Sequence, residues 1–223
     1  MTSSIRFLRL LVCSLLAAAL LASCGGGSDH PEKSLIAVVR ASPVGTLARV
    51  EGLVTVPSGR FNSSAGDQGF AIQDASGGIY VTTQEMNGLP LGAWVRFDAE
   101  LKVLNTQAML APIGAIERLA GSSLVEPLAL GTGAIDEGTG GKLVRVSGRV
   151  TRAAAPDLPY GYEAFIDDGS GEAKIFINIT SGSPIINVAA LRVGADVQVT
   201  GFVFKYDKVL EVSPRQASDL VVR

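Results

Sequence analysis

The chain has 223 residues, 47% hydrophobic, 18% charged and 6% aromatic, with a formal charge of −2. That hydrophobic share excludes a disordered chain, and no apolar run beyond residue 23 approaches the roughly 20 residues of a membrane span, which excludes a polytopic membrane protein. A single histidine, His30, excludes most histidine-based chemistry.

Arg6 and Arg9 mark a basic start, and Leu8–Leu21 is an apolar stretch of Leu, Val and Ala. It is short for a span and reads as a secretory signal peptide. Leu21-Ala22-Ser23-Cys24 resembles a bacterial lipobox, the signal cut before a lipidated cysteine. The resemblance implies cleavage after residue 23, a signal peptide over 1–23 and acylation of Cys24, and acyl chains are a sufficient membrane anchor. Gly25 after the cysteine favours the outer membrane under enterobacteria-like sorting. Cys13 is removed with the signal, so the one remaining cysteine is lipidated and no internal disulfide is expected. Two of the 19 basic residues, Arg6 and Arg9, and none of the 21 acidic ones lie in residues 1–23, so the rest carries 17 against 21, a formal charge of −4. That balance disfavours tight, nonspecific phosphate binding.

Residues 24–33, with Gly25-Gly26-Gly27-Ser28, read as a flexible tether. Leu35-Ile36-Ala37-Val38-Val39 is a helical turn or an edge strand. Beyond Leu47, short strands are separated by Gly, Asn, Asp and Pro, and they repeat. Arg49-Val50-Glu51-Gly52-Leu53-Val54-Thr55 matches Arg145-Val146-Ser147-Gly148-Arg149-Val150-Thr151. Ile72-Gln73-Asp74 with Ser76-Gly77 matches Ile166-Asp167-Asp168 with Ser170-Gly171. Ile79-Tyr80-Val81 matches Ile175-Phe176-Ile177, and Gly92–Phe97 matches Gly194–Val199. Four blocks in one order define a duplicated domain, with the first copy over 34–121, a linker over 122–141 and the second copy over 142–223.

Each copy alternates at period 2. Val50, Gly52, Val54 and Val56 fall on one face, as do Val144, Val146, Gly148 and Val150. A glycine at the same inward place in both copies suits a sharply bent strand. Asp-x-Ser-Gly is turn chemistry. One long bent strand, a hairpin, an irregular connection and two more strands make the layout of the OB barrel, so the fold expected is all-β, two tandem five-stranded OB-like barrels. A pair of small β-sandwiches is the competing arrangement.

The patterns Val-x-Gly-x-Val-Thr, Ile-x-Asp-x-Ser-Gly and Gly-x-x-Val-x-Val resemble bacterial OB-like domains of secreted or lipid-anchored proteins, which also stand beside the catalytic domains of some extracellular nucleases. The resemblance implies a binding or accessory role in the cell envelope and no catalytic residues. The expected partners are the membrane, through the anchor, and a protein or glycan; the alternative partner is single-stranded nucleic acid.

No catalytic group, metal or small-molecule cofactor is expected, and an undetected hydrolase is the weaker alternative. The chain has no phosphate-binding Gly-x-x-x-x-Gly-Lys-Ser/Thr loop. Asp167, Asp168 and Glu172 suit the oxygen chemistry of calcium, but the first copy keeps one of the three acids, and a hairpin turn explains both copies. Alternation places Tyr80, Phe165 and Phe176 outside their barrels, with Lys174 beside Phe176. A ring beside a lysine is what base or sugar stacking uses; packing between the barrels is the other use for it. The segment 47–120 holds five basic and seven acidic residues, and 142–223 holds ten and nine. The second copy is therefore the better anion candidate, through Arg145, Arg149, Arg152 and Lys174. Tyr160-Gly161-Tyr162 sits at the tip of a long loop.

Overall fold

The computed structural model describes residues 30–61, 66–85 and 87–223. The expected signal segment and Cys24 lie outside the described residues. The first copy contains a short helix α1 (Ile36–Arg40) and strands β1 (Leu47–Val56), β2 (Phe70–Gln73), β3 (Gly78–Val81), β4 (Ala93–Leu104) and β5 (Gln107–Ser122). The second copy contains β6 (Leu128–Leu130), β7 (Leu143–Asp157), β8 (Gly161–Asp167), β9 (Ala173–Thr180), β10 (Ser183–Pro184), β11 (Asp196–Tyr206), β12 (Val209–Ser213) and β13 (Leu220–Val222).

The first copy closes into a barrel of order β1-β2-β3-β5-β4. In the second, β7-β8-β9-β12-β11 follows the same order, and β11 pairs back onto β7. In each barrel the third and fifth strands are parallel and the other neighbours antiparallel. This is the five-stranded OB order in both copies, so the β-sandwich alternative is excluded by closure.

The bend that closes each barrel sits at the repeated glycine. Gly52 is opposite Val95 on β4, and the next residue, Leu53, already pairs with Gln73 on β2. A Cβ at Gly52 would meet the Ile72 side chain at 3.1 Å, and one at Gly148 would meet the Asp167 backbone at 2.8 Å. The first strand therefore crosses the second closely, and a side chain at that point would push them apart. Ala48, Val50 and Val54 point into the first core with Phe70, Ile72, Ile79 and Phe97. Val144, Val146, Val150, Ile166 and Ile175 do the same in the second. Val56 departs from the expected alternation. A register shift between Val54 and Val56 turns it outward, where it joins a separate cluster.

The turn aspartates have a second role. Asp74 accepts from Ser76 and Gly77 and, through Oδ2, from the Ile36 N–H at the start of α1 (2.9 Å). Asp168 likewise accepts from Ser170 and from the Thr132 N–H (3.2 Å). Each Asx turn thus holds the segment that precedes its barrel. The linker expected over 122–141 is corrected accordingly. Leu128–Leu130 pairs in parallel with Val144–Val146, and Leu130 and Ile135 pack on the second core. Apolar residues at these positions have a barrel surface to cover, so the segment belongs to the second unit.

The barrels are joined by an apolar cluster of outward residues: Val56, Phe61, Ala71, Tyr80 and Met109 from the first, Phe202 and Phe204 from the second. The two fourth-to-fifth-strand hairpins also touch. Both turn through paired positive φ residues, Asn105-Thr106 (47° and 68°) and Asp207-Lys208 (45° and 69°), the tight hairpin geometry that matches strand twist. The Lys208 N–H donates to Thr106 Oγ1 (3.1 Å), and the Asp207 N–H donates to the Asn105 carbonyl (3.3 Å).

Candidate ligand-binding cleft

Four loops converge where the barrels meet. Phe61 and Gly66 come from the β1–β2 loop, Asn105 from the β4–β5 hairpin, Asp157 from the end of β7 and Tyr160 from the turn that follows it, and Tyr206 from the end of β11. They rim a cleft of about 450 Å³, whose floor is the outer face of the second barrel, with Lys174 and Phe176 on β9 and Glu211 on β12. Strand alternation on β9 puts Ile175 and Ile177 inward and these residues outward. This is the region, flanked by the 1–2 and 4–5 loops, where OB barrels take polymers.

The lysine of the cleft is flanked by carboxylates. Lys174 Nζ stands 3.2 Å from Glu163 and 3.3 Å from Glu211. Burial works against the Lys174 ammonium, and the two carboxylates outweigh it, so its pKa lies above the ordinary lysine value. Glu211 is 5% exposed. Its carboxyl is pushed up to about 7, chiefly by burial, with Lys174 opposing the shift and Asp157 and Glu163 adding to it. The folded protein therefore holds a proton there that an unfolded chain releases near 4.5. Between those pH values the folded state binds more protons, so stability falls as pH rises through the window. The expected loss is about 3 kcal/mol. Urea unfolding at about pH 4.5 and about pH 7.5 should show it, with the slope reduced in Glu211→Gln; an unchanged slope in that variant would assign the titration elsewhere.

Lys174 and Phe176 are brought together at the cleft, the ammonium 5.5 Å from the ring centroid. Phe176 is 9% exposed, less open than alternation alone implies. Its ring lies against Gly161, where a Cβ would stand 3.0 Å from Phe176 Cζ. Phe165 is opposite Lys174 on β8, but the Arg152 guanidinium covers it at 3.1 Å from the ring centroid and is itself paired with Glu172 at 2.6 Å.

Three expected ligand residues lie away from the cleft. Tyr80 does point out of its own barrel, yet it is fully buried between the barrels. Its ring meets Phe204 edge-on at 5.6 Å, and its hydroxyl donates to Asp67 (2.7 Å). Gly69 leaves room for that hydroxyl, since a Cβ there would lie 2.2 Å from it. Arg145 and Arg149 lie on the face β7 shares with β11, opposite Thr200 and Asp196. Arg145 is engaged with Glu126 and Arg149 with Asp196, each at 3.3 Å. In the barrel ring β7 is two strands from β9, so these arginines do not join Lys174.

Asp168 and Glu172 are likewise engaged. Ser170 and Thr132 hold the Asp168 carboxyl well below the usual carboxylate range. Glu172 is lowered by Thr151 and then Arg152. Tyr206, Glu211 and Asn105 were not legible as site residues in the sequence. Their one signal is position: Asn105 and Tyr206 stand at the fourth-to-fifth-strand hairpins, which flank an OB ligand face.

No protein-family model and no curated protein matches the chain. Among solved structures it is similar to a murine DNA-binding protein bound with double-stranded DNA (TM-score 0.40, 10% identity, 74% of this chain and 90% of that chain). It is similar also to a replication protein A heterotrimer bound to single-stranded DNA (0.33, 14%, 82% and 49%) and to the single-stranded DNA binding protein of Thermus aquaticus (0.27, 17%, 81% and 94%). Strand order, the same in both copies, defines the class: this is a tandem OB-fold protein.

Proposed function

We propose that the protein is a non-catalytic binding module of the bacterial cell envelope, anchored through Cys24, that presents its paired barrels to a protein or glycan partner. The observation that carries the binding role is the cleft: both barrels contribute to it, and it lies where OB barrels take polymers. Its charge balance supports a partner without phosphates, because Lys174 is shared between Glu163 and Glu211. The anchor rests on the lipobox-like segment and the glycine-rich tether. Replacing Cys24 with alanine should release the protein from the membrane fraction or leave the precursor unprocessed. Membrane attachment persisting at the processed mass would count against lipidation.

A second reading, single-stranded nucleic acid, has its own observation. Arg152 over Phe165 and Lys174 beside Phe176 are cation–ring pairs on neighbouring strands, the elements that stack bases. Titration with labelled oligothymidylate at two salt concentrations separates the readings. The envelope reading expects weak binding at both. Micromolar or tighter binding that weakens steeply with salt would favour the second.

A further inference from the structure

We propose that the cleft between the barrels binds a neutral oligosaccharide. The proposal rests on the cleft being the ligand site and names the chemistry of what enters it. Its volume, about 450 Å³, is within the roughly 300–1,000 Å³ of small-ligand sites.

The rings come first. Among the described residues, the exposed large aromatic side chains are Trp94, Tyr160 and Tyr206, at 42%, 53% and 49%. Two of these three line this one cleft, from different loops of the second barrel. A tyrosine combines an apolar face with a polar tip. A sugar ring presents the complement, a C–H face that stacks and hydroxyls at its edge. Phe176 adds an apolar patch to the same cleft.

The polar groups decide the charge of the ligand. Lys174 and Glu211, 3.3 Å apart, set a donor beside an acceptor on the cleft floor. A hydroxyl both donates and accepts, so it can satisfy such a pair. A phosphodiester, or the carboxylate of a uronate, only accepts. It would meet one lysine already shared by Glu163 and Glu211, with Asp157 on the same rim. Lys174 is the one cation among the described cleft residues and is already paired, so an anionic polymer finds no free positive charge there.

The test titrates the full chain, in detergent, with maltohexaose, cellohexaose, laminarihexaose and chitohexaose, and with hexagalacturonate and oligothymidylate as anionic probes. Wild type, Tyr160→Ala and Tyr206→Ala are compared by calorimetry. At least one neutral hexasaccharide should bind, and each tyrosine variant should weaken it by roughly tenfold, the size of one contact of about 1.4 kcal/mol. Thermal melts of the variants should match wild type, since both tyrosines are exposed. A neutral sugar that binds wild type and both variants equally would remove the cleft as the site. An anionic probe that binds alone, and is lost in the variants, would keep the cleft and overturn the neutral-sugar class. Binding of none of the four neutral sugars up to millimolar concentration would also overturn the proposal.

Discussion

Replacing Arg215 with alanine should destabilise the protein by about 3–5 kcal/mol, the cost of stranding a buried charge. Arg215 and Asp219 are 8% and 4% exposed. The guanidinium donates from Nε and Nη2 to the two carboxylate oxygens, each at 2.9 Å, and the Arg215 N–H adds a third bond at 2.8 Å. Nη1 donates to the carbonyl of Thr55, 160 residues earlier, at 2.9 Å. One side chain therefore neutralises a buried acid near the end of the second barrel and ties that segment to β1 of the first. Removing it leaves Asp219 charged without its partner and the Thr55 carbonyl without this donor. Urea unfolding of Arg215→Ala, Asp219→Ala and the double variant measures the coupling. The double variant should lose less than the sum of the singles, because the second change removes the stranded charge. A loss below about 1 kcal/mol in Arg215→Ala would mean that water reaches Asp219 and the pair acts as a surface ion pair.

Two adjacent glycines should respond very differently to the same methyl group. A Cβ on Gly78 would lie 1.9 Å from the carbonyl oxygen of Gly141 and 2.7 Å from its carbon, both backbone atoms of the other copy. Neither segment yields freely. The Gly78 carbonyl accepts from Arg40 Nη1 at 3.0 Å, and the Gly141 N–H donates to the Val203 carbonyl at 2.8 Å. Gly141 is also at φ +80°, in the left-handed region. Gly78→Ala should therefore cost about 1–3 kcal/mol, the range for overpacking. At Gly77 a Cβ would find its nearest neighbour at an ordinary 3.7 Å, so Gly77→Ala should stay within about 0.5 kcal/mol of wild type. Paired thermal melts read the contrast. Equal effects at the two positions would show that the barrels do not meet as closely as Gly78 and Gly141 indicate.

The inward residues were legible because a strand carries its own evidence of sidedness. Val50, Gly52 and Val54 alternate with Arg49, Glu51 and Leu53, and the same pattern returns at Val146, Gly148 and Val150. The duplicated glycine marks the bend, and duplicated Asp-x-Ser-Gly marks the turn. Even so, the turn aspartates proved to hold α1 and the Thr132 segment, a long-range partnership that spacing within the turn does not reveal. The cleft was legible only in part. Lys174 and Phe176 came from alternation on one strand, whereas Glu211 reaches Lys174 only because β12 returns to lie parallel to β9.

Tyr80 and Phe176 mark the boundary between sequence and tertiary structure. They hold the same place in the repeat, and period 2 puts each ring outside its barrel. Tyr80 is then covered by Phe204 of the other copy, while Phe176 lies under the cleft beside Gly161 and Lys174. The sequence by itself determined two β units, their bent first strands and which residues face each core, because those features depend on neighbours a few residues apart. Tertiary structure alone decided which outward rings are buried, which arginines are paired and where the cleft opens. Those outcomes depend on how two similar barrels dock, and no period within either repeat encodes that placement.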